Sequence, residues 1–155
     1  MVSAMNPEDA HQVLPTVDKD TYQQLQLTLL LVEFRDEVFV RVATDLTRTG
    51  VRVIRARSSN EARRLYWVYK PSLILINVDQ PDESGWLLAA KLSLIDPLAR
   101  VWLYQPRSSA GDIGMAKFLD VDSLLEYRGN VSRLSDAIIQ LLDECRESTS
   151  VMRAA

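Results

Sequence analysis

The sequence predicts an α/β architecture in which five parallel strands alternate with five helices. Three observations predict it. Two short runs are apolar without alternation, LLLV within LTLLLVE at Leu27–Glu33 and LILI within LILIN at Leu73–Asn77, as expected of strands buried on both faces. Segments with helical spacing of apolar residues follow the strand-like runs in regular alternation. Helix-stopping signals, Gly50, Pro71 and Asp96-Pro97, fall between the two kinds of segment.

Residues 1–26 are polar, contain Pro7 and Pro15, and read as an N-terminal extension. The domain is expected over residues 27–147. Leu27–Glu33 is the first strand. Asp36–Thr49 follows as a helix, with Val38, Val42 and Leu46 on one face and Gly50 as its stop. Val51–Arg57 (VRVIRAR) alternates apolar and basic residues, the pattern of a more exposed strand. Ser58, with Glu61 three residues on, starts a helix that runs to about Tyr69. Leu73–Asn77 is the candidate central strand, and Gly85–Ile95 the third helix. Val101–Gln105 is the fourth strand. A weak helix near Asp112–Phe118 precedes a short strand at Ser123–Leu125. Val131–Glu147 closes the domain, with Val131, Leu134, Ile138, Leu141 and Leu142 on one face, and residues 148–155 read as a tail or linker. Strands alternating with helices, joined by right-handed crossovers, give a flavodoxin-like doubly wound sheet of order 2-1-3-4-5.

Composition narrows the function. The 155 residues carry a net charge of −3 with no basic block, so a nucleic-acid surface is not expected. One cysteine, Cys145, and one histidine, His11, make no disulfide, metal site or catalytic pair. No cofactor or metal is expected. Apolar runs such as Leu29–Val32 are too short to insert into a membrane, and no signal peptide is visible, so a cytoplasmic protein is expected. No Gly-rich phosphate loop follows the first strand, which argues against a nucleotide or flavin enzyme.

In such sheets chemistry sits at the carboxyl ends of the strands, which points to Glu33, Phe34, Asn77, Gln105 and Glu126. The stretch PSLILINVDQPDESGWLL at Pro71–Leu88 resembles the receiver domain of two-component response regulators, as does LLLVEFRDE at Leu29–Glu37. The resemblance covers about Leu27–Leu142. It implies an acidic pair after the first strand that holds Mg²⁺, a phospho-accepting Asp at the end of the third, a hydroxyl after the fourth and a Lys after the fifth. Pro81 and Gly85 stand four and eight residues after Asn77, as they follow the acceptor in receivers.

At the implied positions this chain departs from the pattern. Asn77 stands for the acceptor, and an amide offers no anionic nucleophile. Phe34 stands for the principal metal-binding acid and leaves Glu33 alone; a benzyl ring supplies no oxygen ligand. Gln105 takes the hydroxyl position, or Tyr104 in a register shifted by one. Glu126 replaces the Lys, Tyr127 the usual following Pro, and Ser123 the aromatic switch residue. Asp79 reads as a loop carboxylate. Glu33 is expected to accept a hydrogen bond from a backbone amide or from Asn77.

The reading is a degenerate, non-catalytic receiver-like domain that docks a protein partner in bacterial signalling or complex localisation, with a homodimer as one form. The docking surface is expected at Met115, Phe118, Leu119, Tyr127 and Arg128, with Phe118 and Tyr127 as aromatic anchors. The alternative surface lies at Tyr66 and Trp67. Two other readings are a small-molecule pocket lined by Phe34, Asn77 and Gln105, and a phosphorylatable response regulator. Trp102 and Trp86 are expected in the core.

Overall fold

The computed structural model describes residues 26–154, with side chains described as far as Ser148. The expected extension therefore lies outside the described residues, apart from Gln26. The elements are β1 (Thr28–Val32), α1 (Asp36–Arg48), β2 (Arg52–Ala56), α2 (Ser59–Tyr69), β3 (Leu73–Asn77), α3 (Gly85–Ile95), β4 (Val101–Gln105), α4 (Ala110–Phe118), β5 (Ser123–Glu126) and α5 (Val131–Ala154). The strands form one parallel sheet in the order β2-β1-β3-β4-β5. The predicted α/β fold class and strand order are both observed.

Alternation along the inner strands builds two cores. Leu29 and Leu31 of β1, Leu73 and Leu75 of β3, and Trp102 and Tyr104 of β4 face α1 and α5. Leu30, Val32, Ile74, Ile76 and Leu103 face the other way, against α2 and α3. Both faces are apolar because helices cover both. Trp102 is buried, and Trp86 packs at the margin of the second core.

Local chemistry sets the helix ends. The Ser58 hydroxyl accepts from the Glu61 N–H and starts α2. At α4 the Ser109 hydroxyl accepts from Asp112, whose carboxylate accepts in return from the Ser109 N–H. That reciprocal cap starts the helix at Ala110, earlier than its apolar pattern indicated. Gly50, at φ +87°, carries the chain out of α1 in a conformation that costs glycine little. Gly85 has a different duty: a Cβ there would lie 2.7 Å from the Asn77 carbonyl oxygen and 2.8 Å from the Val78 Cα. The start of α3 can thus press directly on the end of β3.

One boundary differs from expectation. α5 continues to Ala154, so most of the expected tail at 148–155 is helical. The physical reason is visible in the sequence: no Gly or Pro follows Gly129, so nothing stops the helix at Glu147.

Candidate functional site at the carboxyl end of the sheet

Three strands deliver three polar side chains to one point. Glu33 continues the line of β1, its N–H donating to the Ala56 carbonyl at 3.0 Å. Strand alternation then turns its side chain to the same face as Leu29 and Leu31. Asn77 shares that face on β3 and Tyr104 on β4, and the two are register partners. All three are essentially inaccessible to solvent.

Glu33 is the hub. Its Oε1 accepts from Asn77 Nδ2 at 3.0 Å, from the Tyr104 hydroxyl at 3.0 Å and from Arg35 Nη2 at 2.9 Å. Its Oε2 accepts from the Arg35 N–H at 2.9 Å and from Arg35 Nε at 3.3 Å. Both kinds of partner expected for Glu33, a backbone amide and Asn77, are present. The cation is the addition. Burying a carboxylate without one would cost several kcal/mol, on the order of the desolvation of a single ion. Arg35 offsets this from two residues away and leaves its own side chain partly in solvent.

The network continues to the end of the fifth strand. Arg35 Nη2 also donates to the Tyr127 hydroxyl at 3.0 Å, and the Tyr127 ring meets Tyr104 edge-on, with centroids 6.0 Å apart. The hydrogen bonds to Glu33 hold the Arg35 guanidinium protonated far beyond its ordinary range. Burial, followed by the charge of Glu33, raises the Tyr104 phenol well above its usual value and keeps it a neutral donor.

The loop after β3 seals the edge. Asn77 Oδ1 accepts from the Asp79 N–H at 3.0 Å, so both ends of the amide are engaged. Gln80 Nε2 donates to the Val32 carbonyl at 2.9 Å and to the Asn77 carbonyl at 2.7 Å, bridging the ends of β1 and β3.

Several sequence-predicted residues lie elsewhere. Whereas Asn77 is buried, Phe34 is 42% exposed. It is one step past Glu33, so alternation turns it away. Gln105, one step past Tyr104, points to the opposite face from Asn77, and its amide donates to Ser108 and Asp112 at 3.1 Å each. The side chains of Phe34, Asn77 and Gln105, expected to line one pocket, therefore do not share one face of the sheet. Tyr104 is the β4 residue that enters the network. Glu126 accepts from Arg128 Nε at 2.8 Å at the surface, and that contact holds its carboxyl below the usual range.

The expected docking surface also needs correction. Tyr127 is buried, because its ring packs on Tyr104 and its hydroxyl reaches Arg35, so it is no exposed anchor. Phe118 is 84% exposed, and Met115 and Arg128 are also exposed; Leu119 is half-buried. On the alternative surface Tyr66 is buried, with its hydroxyl on Asp96 at 2.6 Å, and burial together with that bond pushes its phenol up to about 12. Trp67 stays exposed.

Sequence reasoning missed Arg35, Gln80 and the inward role of Tyr127. A signal existed for Arg35: a basic residue two positions after a buried acid, within reach of the same carboxylate.

No sequence-family model matches the chain, and no curated protein matches it. Solved structures do. The Vibrio cholerae chemotaxis protein CheY4 superposes with a TM-score of 0.67 at 15% identity, over 74% of this chain and 98% of that one. A CheY-like response regulator receiver domain protein from Methanospirillum hungatei gives 0.67 at 19% identity, over 79% and 98%. A two-component response regulator from Clostridium difficile gives 0.66 at 19%, over 76% and 97%. At these identities the likeness is one of fold: the chain has the five-stranded, doubly wound fold of CheY-like receiver domains.

Proposed function

We propose that the chain is a receiver-like signalling module that works without phosphorylation, by docking to another protein. The observation that carries this reading is the saturation of Glu33. Its two oxygens take five hydrogen bonds from Arg35, Asn77 and Tyr104. An acceptor site needs a free carboxylate and room for a divalent cation beside it. Here an amide stands at position 77, and the chain's own guanidinium neutralises Glu33. The Arg35–Tyr127 bond ties the same network to the end of β5, so the adjoining surface is held in one arrangement rather than poised between two. Ile113, Met115 and Phe118 expose apolar side chains on α4, which favours that helix as the docking element.

Two measurements test this. Intact-mass analysis after acetyl phosphate treatment is expected to show no added phosphoryl group, and a stable single addition would end the reading. Phe118→Asp is expected to abolish capture of the protein partner from the native host with an unchanged thermal melt. Undiminished capture would remove α4 as the docking element.

A further inference from the structure

A second apolar surface lies at the far end of the domain, around the carboxyl ends of α2 and α3. The guanidinium of Arg52 sits 5.8 Å over the Tyr69 ring, so the Tyr69 flank of α2 faces the β2 edge of the sheet. Helical spacing turns the opposite flank, with Trp67, toward α3. The Tyr66–Asp96 hydrogen bond pins the two helix ends together. Along this junction Trp67 is 57% exposed, Val68 66%, Leu94 86%, Ile95 44% and Leu98 90%.

We propose that this row is a twofold interface with a second copy of the chain. The exposed apolar area of the five side chains is on the order of 600 Å², at the upper end of what a lone protein leaves bare. Two copies would together bury about 1,200 Å² of apolar core, the lower bound of a stable interface before any polar rim is added. The composition agrees. None of the five carries a charge, as in the core of homodimer contacts, and the exposed Arg64, Lys70 and Arg100 beside them supply a charged rim. A twofold contact also needs a patch that fits itself. A patch in which Trp67, Val68, Leu94, Ile95 and Leu98 are all apolar and uncharged can meet a second copy of itself without opposing like charges. This interface is separate from the α4 surface above, and the two can fail independently.

Sedimentation velocity on the full chain, in a dilution series from about 100 µM, tests the proposal. The wild type is expected to run at twice the monomer mass. Leu98→Asp and Leu94→Lys should each weaken the dimer at least about tenfold, with the far-ultraviolet dichroism of the folded chain unchanged because both side chains are bare. Phe118→Asp should remain dimeric. A dimer that survives both Leu94→Lys and Leu98→Asp overturns the proposal, and so does a wild type that is monomeric throughout. In that monomer, protection of Trp67 from hydroxyl-radical labelling would assign the face to residues 1–25, and full reactivity would assign it to a different protein.

Discussion

Replacing Arg35 with Met isolates what the cation contributes to the network. The change keeps most of the aliphatic volume and removes the guanidinium. Breaking a buried ion pair by removing one partner typically costs about 3–5 kcal/mol, because the remaining charge stays buried. Two features lower the figure here. The Arg35 side chain is 31% exposed, and Glu33 keeps its donors from Asn77, Tyr104 and the backbone N–H of residue 35. We expect a loss of about 2–3 kcal/mol, a large share of a small domain's stability. Glu33→Gln in the same background should be far milder than in the wild type, since it removes the stranded charge. The double-variant cycle should therefore show coupling of at least about 1 kcal/mol. Urea unfolding at constant m-value measures all four proteins. The reasoning is refuted if Arg35→Met lies within about 0.5 kcal/mol of wild type, or if the two changes simply add.

Further expectations follow from the same geometry. Asn77→Asp sets a second carboxylate where Nδ2 lies 3.0 Å from Glu33, so it should lower stability by about 1 kcal/mol. It should not permit labelling by acetyl phosphate; even the triple change Asn77→Asp, Phe34→Asp, Glu126→Lys should stay unlabelled while Arg35 remains, as intact mass will report. Tyr127→Ala removes a buried ring and the Arg35 partner together, and should cost about 3 kcal/mol in chemical denaturation. Arg128→Glu, at the exposed neighbour, should leave the melt almost unmoved. Gly85→Ala forces a Cβ onto backbone atoms of residues 77 and 78 and should cost at least about 2 kcal/mol or prevent folding, as far-ultraviolet dichroism after purification will show.

Much of the fold was legible because it rests on patterns that need only one chain segment at a time. LLLV and LILI are apolar without alternation, and only a sheet covered on both faces uses such strands. The run LILIN marks the end of β3, and the pressing of α3 on Asn77 and Val78 explains why a glycine stands eight residues after Asn77. The site was less legible for the same physical reason that the strands were easy. In β4 every residue is buried, so no exposed face marks which of Tyr104 and Gln105 turns toward Asn77. Parallel pairing of Asn77 with Tyr104 decides it, and that pairing is tertiary. The inward turn of Tyr127 depends on Arg35 being 92 residues away in sequence and 3.0 Å away in space. The end of α5 is set by the absence of any Gly or Pro after Gly129, so the helix runs through most of the segment that reads as a tail.

The edge of the sheet formed by β2 has a consequence for handling the protein. An outer strand offers unpaired backbone groups to any other strand, the usual starting point of aggregation. Arg52 and Arg55 lie within β2, and Arg57 follows it directly. Two such edges brought together would set Arg52 and the Asp36-paired Arg55 and Arg57 against the same residues of the other copy, so like charges would meet along the strand. The opposite edge, β5, is only four residues long and gives a short template. Ribbon-like growth of copies end upon end is thus discouraged at both margins. Concentrated samples should remain clear during refolding, and charge-neutral replacements along β2 should bring turbidity before they bring any loss of helix content.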